Sequence, residues 1–401
     1  LGDVEGDGDL DICIAQRTGN LLLWLNDGKG RFSDGSAGIQ PASGRVYTCT
    51  LLDADQDGKL DLVAANPANR SQLYLGDGNG RFTAAKTQPD CLPREDTEDS
   101  ITVDLEGDGD LDLVFTITRY QPWICINLGG RGFLHGSKPR LQFFGNCMAN
   151  AIRSGDIDGD GWTDLAVTSS GRDFRLFKGD RFGHFTPLLP VTIPSGNNAV
   201  SDVVLEDLDR DGDLDLVLLS SWGQSQLYRN DGKGAFTNDT AVSLPQAVIG
   251  VSSVDRGDVD GDGDLDLVIG DNNNGGCHLY LNDGKARFSD GGASRMPVTT
   301  GHIEKVMLAD FDGDGDLDLY ATESGYTRHL MRNDGKGIFT PDSQAIPFAY
   351  FNDEDATSGD LDGDGDLDLL LAENTHRFVP LFNKGKGTFS FGTILTVTDD
   401  I

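Results

Sequence analysis

The residues of this chain best suited to chemistry are aspartates held in a fixed pattern. The nine-residue motif D-x-[DE]-x-D-G-x-x-D occurs eight times, at intervals of 50 to 52 residues. Its first position is Asp3, Asp53, Asp104, Asp156, Asp207, Asp258, Asp310 and Asp360. The third is Glu5, Asp55, Glu106, Asp158, Asp209, Asp260, Asp312 and Asp362. The fifth is Asp7, Asp57, Asp108, Asp160, Asp211, Asp262, Asp314 and Asp364, and the ninth is Asp11, Asp61, Asp112, Asp164, Asp215, Asp266, Asp318 and Asp368. Four carboxylates converging on one point repel each other strongly unless a cation or bound protons intervene. A hard cation with six to eight oxygen ligands suits such a loop.

Glycine holds the sixth position in all eight copies, from Gly8 to Gly365, where a sharp turn must bring the carboxylates together. The seventh position should offer only a backbone carbonyl, and its side chain varies accordingly: Asp9, Lys59, Asp110, Trp162, Asp213, Asp264, Asp316 and Asp366. A lysine and a tryptophan there imply a side chain pointing away from the ion. The expected cofactor is Ca2+, about eight ions, one per repeat. An EF-hand would need glutamate at position 12 between two helices, but Ile14, Ala64, Phe115 and Leu218 stand there. Magnesium, with its stricter octahedral sites, fits less well.

The elements that must position these loops repeat with them. Each motif start is followed after 29 residues by a phenylalanine (Phe32, Phe82, Phe133, Phe185, Phe236, Phe339, Phe389), or after 30 in the case of Phe288. A short apolar stretch such as Val203-Val204-Leu205 enters each loop, and an alternating strand such as Leu214 to Leu218 leaves it. A polar connector, a second strand and an Asn-Asp-Gly hairpin follow, as at Asn230 to Gly234. The hydrophobic period is two, with no sustained helical period. Four short strands per unit, repeated about an axis, predict an all-β, eight-bladed β-propeller spanning residues 1–401 as a single domain. An open solenoid would need polar caps that neither end supplies. Only Leu1 and Gly2 precede the first motif, so the first blade is expected to lack its entering strand, as in a fragment of a longer protein.

The formal charge is −34. The loops hold 38 of the 66 acidic residues and two of the 32 basic ones, so the remainder of the chain carries about +2. Eight divalent cations would leave −18. No basic stripe suits a phosphate backbone, which argues against nucleic acid, and no apolar run is long enough to span a bilayer. The six cysteines have no CxxC spacing, which argues against zinc. In a secreted protein they permit one to three disulfides of unassigned pairing.

The loops, the Leu-Asp-Leu strand and the N-D-G-x-G-x-F hairpin resemble FG-GAP/VCBS repeats over essentially the whole chain. The resemblance implies a calcium-binding propeller like those of integrin α-subunits, and a secreted or cell-surface setting. The chain departs from integrins in carrying the loop in every repeat and in having eight units where an integrin propeller has seven.

With all-protein ligand sets, the loops are expected to be structural. If the loop joins strands one and two, the hairpin between strands three and four shares its face, and the connectors two-to-three and four-to-one lie opposite. The repeats diverge in those connectors, which carry Arg119, Tyr120, Trp123, Arg172, Trp222, Tyr326, Arg328, His376 and Arg377, with Phe143, Phe144, His302, Tyr350 and Phe351 in the longer ones. Tyr120, Trp123, Arg172, Trp222, Tyr326 and His376 are the candidate ligand contacts. The leading expectation is a calcium-stabilised extracellular binding or adhesion module for a protein or glycan. The alternatives are a structural subunit of a surface filament or matrix, assembling with itself, and a polysaccharide-active enzyme such as a lyase. The lyase would draw on His302, Glu304, Lys305, Asp353, Glu354, Glu373 and His376, among which no spacing marks a catalytic set. Asn69 and Asn238 fit the N-glycosylation pattern.

Overall fold

The computed structural model describes residues 1–16, 21–39, 46–65, 71–93, 97–117, 123–130, 132–135, 149–169, 174–188, 200–221, 223–245, 250–273, 275–297, 299, 301–325, 327–349, 353–373 and 377–396. They form eight antiparallel sheets, one per repeat.

Blade 1 holds β1 (Ile12–Ile14), β2 (Leu22–Asn26) and β3 (Phe32–Asp34); blade 2 holds β4 (Thr48–Leu52), β5 (Asp61–Ala65), β6 (Gln72–Gly76) and β7 (Phe82–Ala84). Blade 3 holds β8 (Thr97–Val103), β9 (Asp112–Ile117), β10 (Trp123–Asn127) and β11 (Phe133–His135). Blade 4 holds β12 (Ala149–Gly155), β13 (Asp164–Ser169), β14 (Phe174–Lys178) and β15 (Thr186–Pro187). Blade 5 holds β16 (Val200–Glu206), β17 (Asp215–Ser220), β18 (Gln226–Arg229) and β19 (Thr237–Asn238). Blade 6 holds β20 (Val251–Gly257), β21 (Asp266–Asp271), β22 (Gly276–Asn282) and β23 (Phe288–Asp290). Blade 7 holds β24 (Ile303–Ala309), β25 (Asp318–Glu323), β26 (Thr327–Asn333) and β27 (Phe339–Pro341). Blade 8 holds β28 (Asp353–Gly359), β29 (Asp368–Glu373), β30 (Arg377–Asn383), β31 (Phe389–Phe391) and β32 (Leu395–Thr396).

In each blade the strands pair in chain order. The aspartate loop and the hairpin therefore leave one face of the ring, and the connector between the second and third strands leaves the opposite face. First strands of neighbouring blades pack side by side, β4 on β8 and so on to β24 on β28, which sets them around the central axis. Polar side chains link them there: Arg153 to Asp202 at 2.7 Å, Arg256 to Glu206 at 2.6 Å and Lys305 to Asp355 at 2.9 Å. In blades 3 to 8 a bulge near the start of the first strand shifts its register.

The core is divided into eight apolar layers, each between two blades. One of them joins Ile12 and Ile14 of blade 1 to Leu361, Leu370 and Phe382 of blade 8, so the array is a closed ring. The second strands are buried on both sides, as in β17 and β21, where all six residues are buried. The alternation expected of them is therefore absent, because each is covered on both faces by adjacent blades.

Among the described residues blade 1 has three strands. Gly2 pairs with Asp11 in an isolated bridge at the start of the first loop. The segment Leu395–Thr396 adds to blade 8 beside β30 instead of completing blade 1. A disulfide, Cys91–Cys125, ties the segment after β7 to β10 of the next blade. Among the described residues no helix is long and apolar enough to cross a membrane.

Candidate metal centre

Each aspartate loop is folded by its own carboxylates. The first-position aspartate accepts amides from further along the loop: Asp3 takes Gly6 N at 2.7 Å and Gly8 N at 2.9 Å, and Asp258 and Asp310 repeat this at equivalent atoms. The fifth-position carboxylate accepts the seventh-position amide in all eight loops, as in Trp162 N to Asp160 Oδ1 at 3.0 Å. The sixth-position glycines all have φ between 82° and 96°. At seven of them a Cβ would meet nothing within 4 Å, so backbone conformation rather than space requires glycine.

The ninth-position aspartate fastens the loop to the blade. In every blade its Oδ1 accepts the amide at the end of the third strand, from Asn26 N on Asp11 to Asn383 N on Asp368. In six blades its Oδ2 accepts the second-position amide, as in Val4 N to Asp11 at 2.9 Å. Burial pushes these carboxyls up, against the lowering effect of the amides: to about 6 for Asp61, Asp164, Asp215, Asp318 and Asp368, and to about 7 for Asp266. Burial also raises the carboxyls of Glu106 and the adjacent Asp112.

The third position is different. Glu106, Asp158, Asp209, Asp260, Asp312 and Asp362 each keep one buried carboxylate oxygen with no hydrogen-bond donor. The Asp158 side chain is only 10% exposed. A buried carboxylate oxygen without a partner is costly, and a cation at the loop centre would satisfy it. Among the described residues, seven groups of three or more side chains able to ligate metal bring their ligand atoms within 4.8 Å of one another. In Asp53/Asp55/Asp57, Asp207/Asp209/Asp211 and Asp258/Asp260/Asp262 they are positions one, three and five. In Asp104/Glu106/Asp112 and Asp156/Asp158/Asp164 the ninth position joins instead. These clusters could hold metal ions, and the donor set, all oxygen and mostly carboxylate, fits a hard divalent cation.

Three of the seventh-position side chains reach the preceding blade's loop. Asp110 accepts from Gln56 Nε2, Asp264 pairs with Arg210 Nε at 2.6 Å, and the Trp162 ring lies against Gly107. Lys59 instead turns back, its Nζ 2.8 Å from Asp57 Oδ2.

Three further recurrences belong to the loop. The second-position residue, from Val4 to Leu361, is at most 3% exposed in every copy and anchors the loop in the core. The fourth position has φ between 61° and 77° throughout, including the non-glycines Gln56 and Arg210. Glycine at that position in six of eight repeats was the available signal. The hairpin asparagine reaches the preceding blade, as in Asn230 Nδ2 to Ile157 O at 2.7 Å.

The opposite face carries other chemistry. Of the candidate ligand contacts, Tyr120, Arg172, Trp222, Tyr326 and His376 lie outside the described residues, as do Arg119, Phe143, Phe144, Tyr350 and Phe351. Trp123 is half-buried at the start of β10, where its indole N–H donates to Cys91 O and its ring packs on the core between blades 2 and 3. Arg328 and Asp353 form a buried ion pair, 4% and 2% exposed. Glu373 pairs with Arg377 at 2.6 Å, and His302 Nδ1 contacts Asn272 O. Of the other groups named for a lyase, Lys305 pairs with Asp355 at 2.9 Å, and Asp353 stands opposite Glu373 across the first two strands of blade 8. Phe348, in the connector between β27 and β28, is 74% exposed. Asn238 is exposed in β19, and Asn69 lies outside the described residues.

Solved structures share the ring. Sqt1 of Saccharomyces cerevisiae aligns with TM-score 0.62 at 12% identity, covering 97% of this chain and 94% of its own. The computationally designed Ika8 protein aligns with TM-score 0.56 at 8% identity over 89% of each chain. An Agrocybe aegerita lectin, described as recognising non-reducing terminal N-acetylglucosamine, aligns with TM-score 0.50 at 17% identity over 97% of this chain and 90% of its own. At these identities the likeness concerns the fold alone. No curated protein sequence matches the chain. Seven overlapping windows (residues 3–64, 53–115, 104–167, 156–218, 207–269, 258–321 and 310–371) each run from one aspartate loop through the loop of the next blade, and each matches the FG-GAP-like repeat, so the chain belongs to the FG-GAP-like repeat family.

Proposed function

We propose that this chain is a calcium-stabilised extracellular binding module that recognises a protein or glycan through the face opposite its aspartate loops. The supporting observation is the segregation of the two faces. Strand order sends every repeated loop and hairpin to one side and the divergent two-to-three connectors to the other, with the four-to-one connectors crossing between the sides. Uniform loops suit a structural task repeated eight times; varied loops on a rigid scaffold suit recognition.

Calcium would be held by the carboxylates of positions one, three and five, with the ninth position in blades 3 and 4. Its chemistry there is neutralisation of clustered charge, which makes binding energy part of folding energy. The Cys91–Cys125 disulfide favours an oxidising compartment, and outside cells calcium is plentiful enough to fill sites of modest affinity. A sugar-binding propeller among the structural neighbours supports including glycans.

A glycan array and a panel of extracellular proteins, probed with and without chelator, test the proposal. Binding should require calcium and should fall on substitution of the two-to-three connectors, for example Trp222→Ala together with Tyr326→Ala. Binding that ignores those changes but is lost on Lys233→Glu, in a hairpin of the loop face, would sink the assignment of the face.

A further inference from the structure

The repeat does not treat all eight loops alike. Just before the hairpin asparagine or glycine, blades 1, 2, 3, 6 and 8 place Leu25, Leu75, Ile126, Leu281 and Phe382. Blades 4, 5 and 7 place Lys178, Arg229 and Arg332 at the same point. All three turn onto their own blade's loop.

Lys178 Nζ meets Asp158 Oδ2 and lies 2.7 Å from Asp160 Oδ2, so it bridges positions three and five. Arg332 Nη1 lies 3.1 Å from Asp318 Oδ2 and 3.5 Å from Asp312 Oδ2, bridging positions nine and three. Arg229 Nη1 reaches only Asp209, at 2.7 Å. Lys384 and Arg295 likewise touch only the third position of blades 8 and 6, at 3.1 and 3.8 Å. On Glu5 and Glu106, the third positions of blades 1 and 3, the described residues place no basic side chain. The loops thus form a series, from no tethered cation to one that spans two ligand carboxylates.

A side-chain cation across two carboxylates already supplies part of the charge that a metal ion would bring. An incoming divalent ion must displace it or bind beside it against repulsion. Lys178 can leave, since its ammonium sits on a flexible stem and its side chain is 36% exposed. Arg332 is more firmly held, because it also donates to the carbonyls of Lys386 and Gly387 in the next blade, at 2.9 and 2.7 Å. Each third-position carboxylate bridged in this way still keeps its Oδ1 buried and unpartnered, so the loop retains a ligand atom for metal.

Resting on the calcium reading above, we infer that the eight loops are not equivalent metal sites. Lys178 and Arg332 act as internal competitors, and the loops of blades 4 and 7 fill last as free calcium rises. The protein then passes through a form loaded in the other blades while these two are held by their own side chains.

Trp162 gives an optical handle on this order. It lies in the blade 4 loop, with its ring 3.6 Å from the Cβ position that Gly107 of the blade 3 loop lacks. It therefore adjoins one loop without a tethered base and one with. Terbium, a luminescent substitute for calcium excited through a nearby indole, should titrate the full chain in two phases that disappear in Trp162→Phe. Lys178→Leu, which copies the leucine of blades 1, 2 and 6, should tighten the later phase by about tenfold or more, as expected when a positive charge a few ångströms away is removed. Lys178→Gln is the second variant should leucine impair folding. Equilibrium dialysis with calcium should show the added ion bound at lower free calcium in either variant, and another in Arg332→Leu. A single phase unchanged by these substitutions, with calcium still bound by the parent, would overturn the inference alone. No bound calcium in the parent would overturn the calcium reading as well.

Discussion

The side-chain amide of Asn26 donates to the carbonyl oxygen of Leu361 at 2.8 Å, across 335 residues of sequence. The same bond joins Asn230 to Ile157, Asn282 to Leu208, Asn333 to Val259 and Asn383 to Phe311, each time from one hairpin to the loop of the preceding blade. Asn26 and Leu361 repeat between the first and last blades what the others do between neighbours. The ring is therefore closed by an ordinary blade contact together with its apolar layer.

Asn26→Ala should open this joint selectively. Asn26 is 4% exposed, and its loss leaves the carbonyls of Leu10 and Leu361 unpaired. A buried group left so costs about 1–3 kcal/mol. Asn333→Ala removes the equivalent bond inside the ring. Both variants should melt earlier in calorimetry, but hydrogen exchange should quicken at the blade 1 to blade 8 seam only in Asn26→Ala. Equal protection at that seam in the two variants would show that the asparagine does not secure closure.

Removing divalent cations should destabilise the whole ring. A site held at 100 times its dissociation constant adds about 2.7 kcal/mol, and several such sites act together. EDTA should lower the melting temperature by many degrees, with recovery on adding calcium. Asp211→Ala removes one carboxylate of blade 5 and the acceptor for Asp213 N, and should cost one bound ion of the set. Loss of most of the ions in that variant would mean that the loops do not bind independently. Unchanged melting in EDTA would refute structural calcium.

The pH dependence should change sign with calcium. Burial raises Asp61, Asp164, Asp215, Asp318 and Asp368 to about 6, and Asp266 to about 7, above the ordinary aspartate range they regain on unfolding. Over that interval the folded, metal-free protein binds more protons than the unfolded chain, so its stability falls as pH rises. The contribution is fully present below about pH 4 and is lost through pH 6–7. Calcium favours the ionised carboxylates and should flatten or reverse the trend. Melting of EDTA-treated protein at pH 5 and pH 7.5 checks this; a rise in metal-free stability between them would contradict it.

Much of this was legible in the sequence because eight copies expose what each position tolerates. Lys59 and Trp162 marked the seventh side chain as free to vary, and the Trp162 ring leans onto Gly107 of the neighbouring blade. Lys59 behaves otherwise, since four methylenes let its ammonium curl back to Asp57. The ninth aspartate read as a simple ligand, yet its oxygens accept two backbone amides in most blades. Such a role depends on distant strands and leaves no local pattern. Trp123 read as a recognition residue because it sits near a connector, but packing against blade 2 claims its ring. Cysteine pairing was illegible, because Cys91 and Cys125 meet only once blades 2 and 3 stand side by side.

That pairing gives a last expectation. Cys91–Cys125 closes a chain separation of 34 residues between adjacent blades, and both cysteines are fully buried in the layer joining them. Constraint of the unfolded chain by a loop of this length is worth on the order of 3–4 kcal/mol. The double variant Cys91→Ala/Cys125→Ala should therefore melt at a lower temperature in saturating calcium, and exchange should rise first between blades 2 and 3. Peptide mapping without reduction should recover Cys91 joined to Cys125. Because the bond crosses a blade boundary and lies in no aspartate loop, its loss should leave the number of bound calcium ions unchanged. A double variant that melts like the parent, or one that loses ions, would show that the disulfide does not act as an independent clamp between the blades.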